Sequence, residues 1–249
     1  MSEPDTDLDA AVARVKRQHP IDENPYFRSL RDGSFERDDF VETQVQFLFA
    51  VVFFSRPMAA LAGRLARPER RVALLENISD EHGHGNLRVS HERTFLALLG
   101  RLGVTPEEVE RRALWPEVRA FNTVLAGVAT LDDTPTALAA MGVIEDLFAR
   151  ISARIGRAIV DRGWLPEDQI VHYATHERLD EQHAEGFYAQ LRAPFARHPR
   201  HAYQVTQGLE LGAHIFLRLY EDLWRARERR VSRTVRGPHS LSDGWSLED

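Results

Sequence analysis

Apolar residues recur at intervals of three and four along almost the whole chain, and alternating runs bounded by turn residues, the mark of strands, are missing. The pattern predicts an all-α protein. Start signals punctuate it: Thr6 or Asp7 before a segment ending near His19, Ser34 before 36–66, Pro68 opening 68–102, and a capping box at Thr105-Pro106-Glu107-Glu108. Trp115-Pro116 opens a segment to about Thr130, Thr134-Pro135 starts 135–162, Pro166 starts 166–195, and His201 to Arg230 forms the last long helix. Long helices on short connections can bury their apolar stripes only against each other, so a compact bundle of seven to eight helices is expected. Gly83, Gly85 and Pro57 interrupt helical patterns at a cost of about 1 kcal/mol for each Gly and roughly 3 for Pro, which predicts kinks or local unwinding. Residues 1–230 read as a single helical domain. Residues 231–249, with Gly237, Pro238, Gly244 and several serines, read as a loosely attached tail.

Composition narrows the chemistry. Among the 249 residues there is no cysteine, which removes disulfides, thiolate metal sites, iron–sulfur clusters and thiol nucleophiles, so any metal must sit on His and carboxylates. A formal charge of -6 gives no broad basic field for nucleic acid, leaving small molecules or proteins as partners. The polar start of the chain has no signal-like core. The most apolar run, Phe47 to Phe54, is shorter than the roughly 18 residues of a membrane span, so a cytoplasmic protein with no membrane partner is expected. Apolar helical faces are compatible with a homodimer.

The segment from His172 to His183 carries the strongest chemical signal. At about 100° per residue, His172, His176, Asp180 and His183 fall within a sector of roughly 80° on one helix face. This H-x3-D-x2-H arrangement offers two nitrogens and an oxygen along one stripe, a donor set suited to iron or manganese and, less exclusively, zinc. A solvated polar face that happens to contain histidines is the plainer reading. A second helix supplies Glu81, His84 and His91, which also project one way, but Glu81 and His91 lie about 15 Å apart on an ideal axis. They can share one cluster only if it is dinuclear or if the helix unwinds near Gly83 and Gly85. Glu145, flanked by Met141, Ile144, Leu147 and Phe148, points a carboxylate into the bundle, where it needs a metal, Arg or His nearby. The alternatives are a pair with Arg150 or an exposed position.

Together, Asn77-x-x-Asp80-Glu81-x-Gly83-x-Gly85-x4-Ser90-His91, Glu145, and His172-Tyr173-x2-His176-x3-Asp180-x2-His183 resemble the haem-oxygenase-like di-iron oxidases and oxygenases over roughly residues 20–230. The resemblance implies a haem-oxygenase-like bundle. It also implies Glu81, His91, Glu145, His176, Asp180 and His183 as ligands to Fe(II), two ions per chain, with His84 as a substitute ligand. The implied activity is oxidation of a small carboxylate-bearing substrate, such as an amino acid or fatty acid, with dioxygen as co-substrate. The p-aminobenzoate synthases of this group consume their own tyrosine and use a lysine after the middle Glu. Lys16 is the only lysine here, which disfavours that chemistry. Arg56, His172, Glu210 and His214 are candidate substrate contacts, and Phe47, Phe49, Phe53 and Phe54 are core residues of which some face the metal. Two rival readings remain. One is a ferritin-like site from Glu42, Glu81-x-x-His84, Glu145 and Asp180-x-x-His183. The other is a cofactorless oxidase or metal-free binding module of the same fold.

Overall fold

A computed structural model describes residues 7–232, with the side chains of residues 176–179 excepted. Among the described residues the chain forms ten α-helices and four short 3-10 turns, with strand pairing limited to one isolated bridge. The helices are α1 (Leu8–Gln18), α2 (Pro25–Asp32), α3 (Arg37–Arg64), α4 (Pro68–Glu81), α5 (His91–Arg101), α6 (Pro106–Arg111), α7 (Pro116–Leu131), α8 (Thr134–Asp161), α9 (Val171–Arg197) and α10 (Pro199–Ala226). Most open as the sequence dictates. The side chains of Asp7, Asn24, Ser90 and Asp133 accept from backbone N–H groups of the first turn, Thr105 and Glu108 close a reciprocal capping box, and Pro occupies the first turn of six helices.

Helix α8 is the axle of the bundle. Nearly every residue from Thr136 to Ser152 is buried, including Glu145, because α9 and α10 cover one side and α3 and α7 the other. Close approach to α10 depends on Gly208 and Gly212: a Cβ added at Gly208 would lie 2.2 Å from the Thr136 carbonyl oxygen, and one at Gly212 would lie 2.5 Å from that of Ala140. Gly142 does the same toward α9, where a Cβ would meet that of Phe187 at 2.8 Å.

Several expectations are corrected. The predicted 68–102 helix is two helices, α4 and α5, separated by 3-10 turns at Gly83–Gly85 and Leu87–Val89. Unwinding at the two glycines was anticipated, whereas Pro57 leaves α3 uninterrupted. Helix α2 has no counterpart in the predicted elements, and the split α4/α5 and short α2 bring the helix number above seven or eight. Helix α3 is long and apolar enough to cross a membrane, with a mean hydropathy of 1.7 over its best window. Much of that stretch is buried against α4, α5, α7 and α8, which accounts for its composition as that of a core helix. The tail expected at 231–249 begins with an anchored pair of residues: Ala113 N–H donates to Val231 O and Ser232 bridges Arg112. Residues 233–249 lie outside the described residues.

Candidate metal centre

Three consecutive left-handed residues follow α4: Gly83 (φ 61°), His84 (φ 52°) and Gly85 (φ 85°). A Cβ at Gly83 would sit 2.9 Å from the backbone N of Ser90, so both its dihedrals and its space exclude a side chain there. Folding back at this point removes the separation expected for a straight helix. Glu81 Oε1 lies 2.9 Å from His91 Nδ1, with His91 as the first residue of α5.

Glu145 enters from α8 and Asp180 and His183 from α9. Their ligand atoms lie within 4.8 Å of one another. His183 Nδ1 stands 3.7 Å from Asp180 Oδ1 and 3.9 Å from Glu145 Oε2, and it makes no hydrogen bond. Its Nε2 lies 2.8 Å from Asp80 Oδ2, while Asn77 Nδ2 donates to Glu145 Oε1 at 2.7 Å. Asp180 is fully buried and Glu145 nearly so. Burial, then the charge of Asp180, raises the Glu145 carboxyl to about 8, against the pull of His183. Burial pushes Asp180 well above the carboxylate range as well, although His91 opposes it. Burial drags the His91 imidazole down, but Glu81, assisted by Asp180 and Glu145, outweighs that and holds it up at about 9.

Five of the six residues implied as ligands therefore gather where α4, α5, α8 and α9 meet. His176 lies on α9, one turn before Asp180, with its side chain outside the described residues. The cluster fits a first-row transition-metal cation. Its donors are carboxylate oxygens and imidazole nitrogens, two carboxyls are too buried to ionise alone, and a buried imidazole nitrogen, His183 Nδ1, faces them with no hydrogen bond.

His84 is placed differently. Its ring is 73% exposed and pairs with Asp80 at 2.5 Å, outside the cluster, because the left-handed backbone turns it outward. Glu42 is also elsewhere, buried against Arg112 at 3.0 Å, so the ferritin-like set is not assembled. Of the candidate substrate contacts, Arg56 is exposed beside Phe53, His214 is exposed, and Glu210 pairs with His19 at 3.1 Å on the α1 side. None of these three lines the cavity at the cluster. His172 is buried one turn ahead of His176, with Nδ1 3.0 Å from Thr94 Oγ1. It borders a separate opening shared with Asp80, His91 and Thr94.

The cavity itself is small, about 40 Å³, and apolar. Glu81, His91 and Glu145 form one end, and the aromatic walls come from Phe47 and Phe54 of α3, Phe121 of α7, Phe148 of α8 and Phe216 of α10. Phe49 is buried elsewhere in the core, and Phe53 is half-buried beside Arg56. Asn77 and Asp80, which hold Glu145 and His183, were not assigned roles from the sequence. Their signal is their position one turn before and directly beside Glu81 on α4.

Comparison with known proteins agrees with this architecture. A 4-aminobenzoate synthase from Chlamydia muridarum (strain MoPn / Nigg) is 22% identical over 179 residues, covering 71% of this chain and 74% of that protein. A domain of unknown function with a heme oxygenase-like fold from Shewanella denitrificans OS217 superposes with a TM-score of 0.72 at 16% identity, covering 89% of this chain and 92% of that one. A CADD-like protein of unknown function from Nostoc punctiforme PCC 73102 gives 0.69 at 18% identity, with 88% and 96% covered. A TenA homologue from P. horikoshii OT3 gives 0.67 at 17% identity, with 88% and 99% covered. These likenesses establish the haem-oxygenase-like all-α fold. A family model described as iron-containing redox enzyme matches residues 41–216, more than half of the chain, and the protein belongs to that family.

Proposed function

We propose that this protein holds two ferrous ions on Glu81, His91, Glu145, His176, Asp180 and His183 and oxidises a small, largely apolar substrate with dioxygen. The observation that carries the reading is the juxtaposition of a buried carboxylate and imidazole cluster with an apolar cavity that opens onto three of its members. Iron at such a cluster supplies the capacity to bind and reduce dioxygen. The chain supplies the rest. Asn77 fixes one Glu145 oxygen and leaves the other facing His183 and Asp180. The aromatic walls exclude water and press a hydrocarbon or aryl group against the Glu81, His91 and Glu145 end.

Among the described residues no Lys or Arg lines this cavity, and Arg56 is not part of it. A substrate carboxylate would therefore find its counter-charge at the iron and His91 end rather than at a lysine or arginine. That favours an alkyl or aryl acid over a zwitterionic amino acid. The 4-aminobenzoate synthase relative is a precedent only in outline. Lys16, the sole lysine, is held on Asp146 at 2.6 Å, away from the cavity lining.

The test is anaerobic titration of metal-free protein with ferrous iron, followed by rapid mixing with oxygenated buffer under optical detection. Saturation at two ions per chain and an absorbance transient whose decay responds to alkyl or aryl acids is the expected result. Absence of both iron binding and oxygen consumption would leave a cofactorless oxidase or a binding module.

A further inference from the structure

Resting on the iron-binding reading above, we propose that Asp80 is a positioning residue. It fixes the tautomer and orientation of His183, so that the Nδ1 lone pair faces Glu145 and Asp180, and the exposed His84 holds Asp80 from the other side. Asp80 is the last-but-one residue of α4, beside Glu81, and its two oxygens are divided between two rings. Oδ2 lies 2.8 Å from His183 Nε2, and Oδ1 lies 2.5 Å from His84 Nε2. The other nitrogen of His84 meets Ser79 Oγ at 3.1 Å.

His183 Nε2 meets a carboxylate oxygen of Asp80 as its acceptor, an arrangement that puts the ring proton on Nε2. The remaining nitrogen, Nδ1, is then the lone-pair atom. It is the buried atom that has no hydrogen bond and stands under 4 Å from both Asp180 and Glu145. A carboxylate behind a ligating imidazole also makes that ring more electron-rich, and loss of such a partner typically weakens metal binding by about 10- to 100-fold. His84, whose left-handed backbone turns its ring out of the cluster, is thereby given a role other than ligation: it restrains the carboxylate from the solvent side.

Three variants separate the parts of this arrangement. Asp80→Asn keeps an acceptor oxygen for Nε2 but removes the charge, Asp80→Ala removes both, and His84→Ala removes only the outer restraint. Nitrogen-15 spectra of histidine-labelled metal-free protein, with the His183 signals identified by their loss in His183→Gln, read the tautomer directly. The Nε2–H form is expected in wild type and Asp80→Asn, and a mixture of tautomers in Asp80→Ala. Ferrous iron affinity, measured by anaerobic titration, should fall in the order wild type, Asp80→Asn, Asp80→Ala, by about 10-fold or more at the last step, with at most a few-fold loss for His84→Ala. An Nδ1–H tautomer in the wild type, or a wild-type tautomer population in Asp80→Ala, would overturn the inference whether or not iron binds. So would unchanged affinity in Asp80→Ala. Failure of the wild-type protein to bind iron would instead remove the functional reading on which the affinity order rests.

Discussion

Replacing Glu145 with Gln should stabilise the metal-free protein while abolishing its stabilisation by iron. The carboxyl is buried in the middle of α8, and burial with the neighbouring Asp180 holds it at about 8 against an ordinary value of 4.5. A group whose value is raised on folding contributes stability that is fully present below the unfolded value and is lost as pH rises through the folded one. At pH 7 the metal-free wild type therefore takes up a proton on folding. The gap from 4.5 to neutrality, at about 1.36 kcal/mol per pH unit, comes to a penalty of roughly 3 kcal/mol. Gln has the same shape, keeps an oxygen for Asn77 Nδ2 and bears no such penalty. Urea unfolding of chelated protein at pH 5, 7 and 8 should show Glu145→Gln gaining roughly 3 kcal/mol on wild type at pH 7, more at pH 8, and under about 1 at pH 5. Ferrous iron added anaerobically should raise the wild-type midpoint and not that of the variant. A variant less stable than metal-free wild type at pH 7, or a difference that does not grow with pH, would refute the claim that this carboxyl is destabilising without a cation.

The remaining expectations concern ligand identity, packing and the cavity. His91→Ala should lose ferrous binding while Glu42→Gln retains it, since His91 sits in the cluster and Glu42 pairs with Arg112. A reversed pattern in iron titrations would revive the ferritin-like arrangement. Gly212→Ala should destabilise the fold by about 1–3 kcal/mol or more, read as a fall in thermal midpoint, because its Cβ would overlap the Ala140 carbonyl. Phe216→Ala should cost roughly 3–5 kcal/mol and shift binding toward bulkier apolar ligands, checked by titration with a series of alkyl acids of increasing size.

Asp180 and His183 were legible in the sequence because they lie in one unbroken helix, where spacing fixes direction; the same projection put His172 on their stripe, whereas its ring packs against Thr94 at a separate opening. Glu145 was legible for a simpler reason: its neighbours are apolar, and the structure places it among them. The pairing of Glu81 with His91 was not derivable from periodicity, since it depends on a backbone that leaves the helix for nine residues. The two glycines marked where it does so but not how far the chain folds back. His84 shows the cost of that gap, because helical projection placed it with Glu81 and His91 and the left-handed turn rotates it to solvent. Helix α2 was missed although Asn24, Pro25 and Gly33 bracket it as cap, first turn and left-handed stop. At eight residues it is too short for apolar spacing to stand out. Gly208 and Gly212 are a helix-period pair whose importance appears only once α8 is laid against them.

The backbone between Glu81 and His91 also bears on how such sites are found. Side chains on a continuous helix are locked to its period, so the H-x3-D-x2-H run cannot gain or lose a residue without turning one of them away. Donors on either side of a loop are under no such constraint. The segment between Gly85 and Ser90 is held at its two ends, by α4 on one side and by the cap of α5 on the other, so its length is not tied to the helical period. A pattern that demands a fixed interval for this pair imposes a constraint the backbone does not, whereas one anchored on the α9 run and tolerant of length before α5 follows what the helices themselves fix.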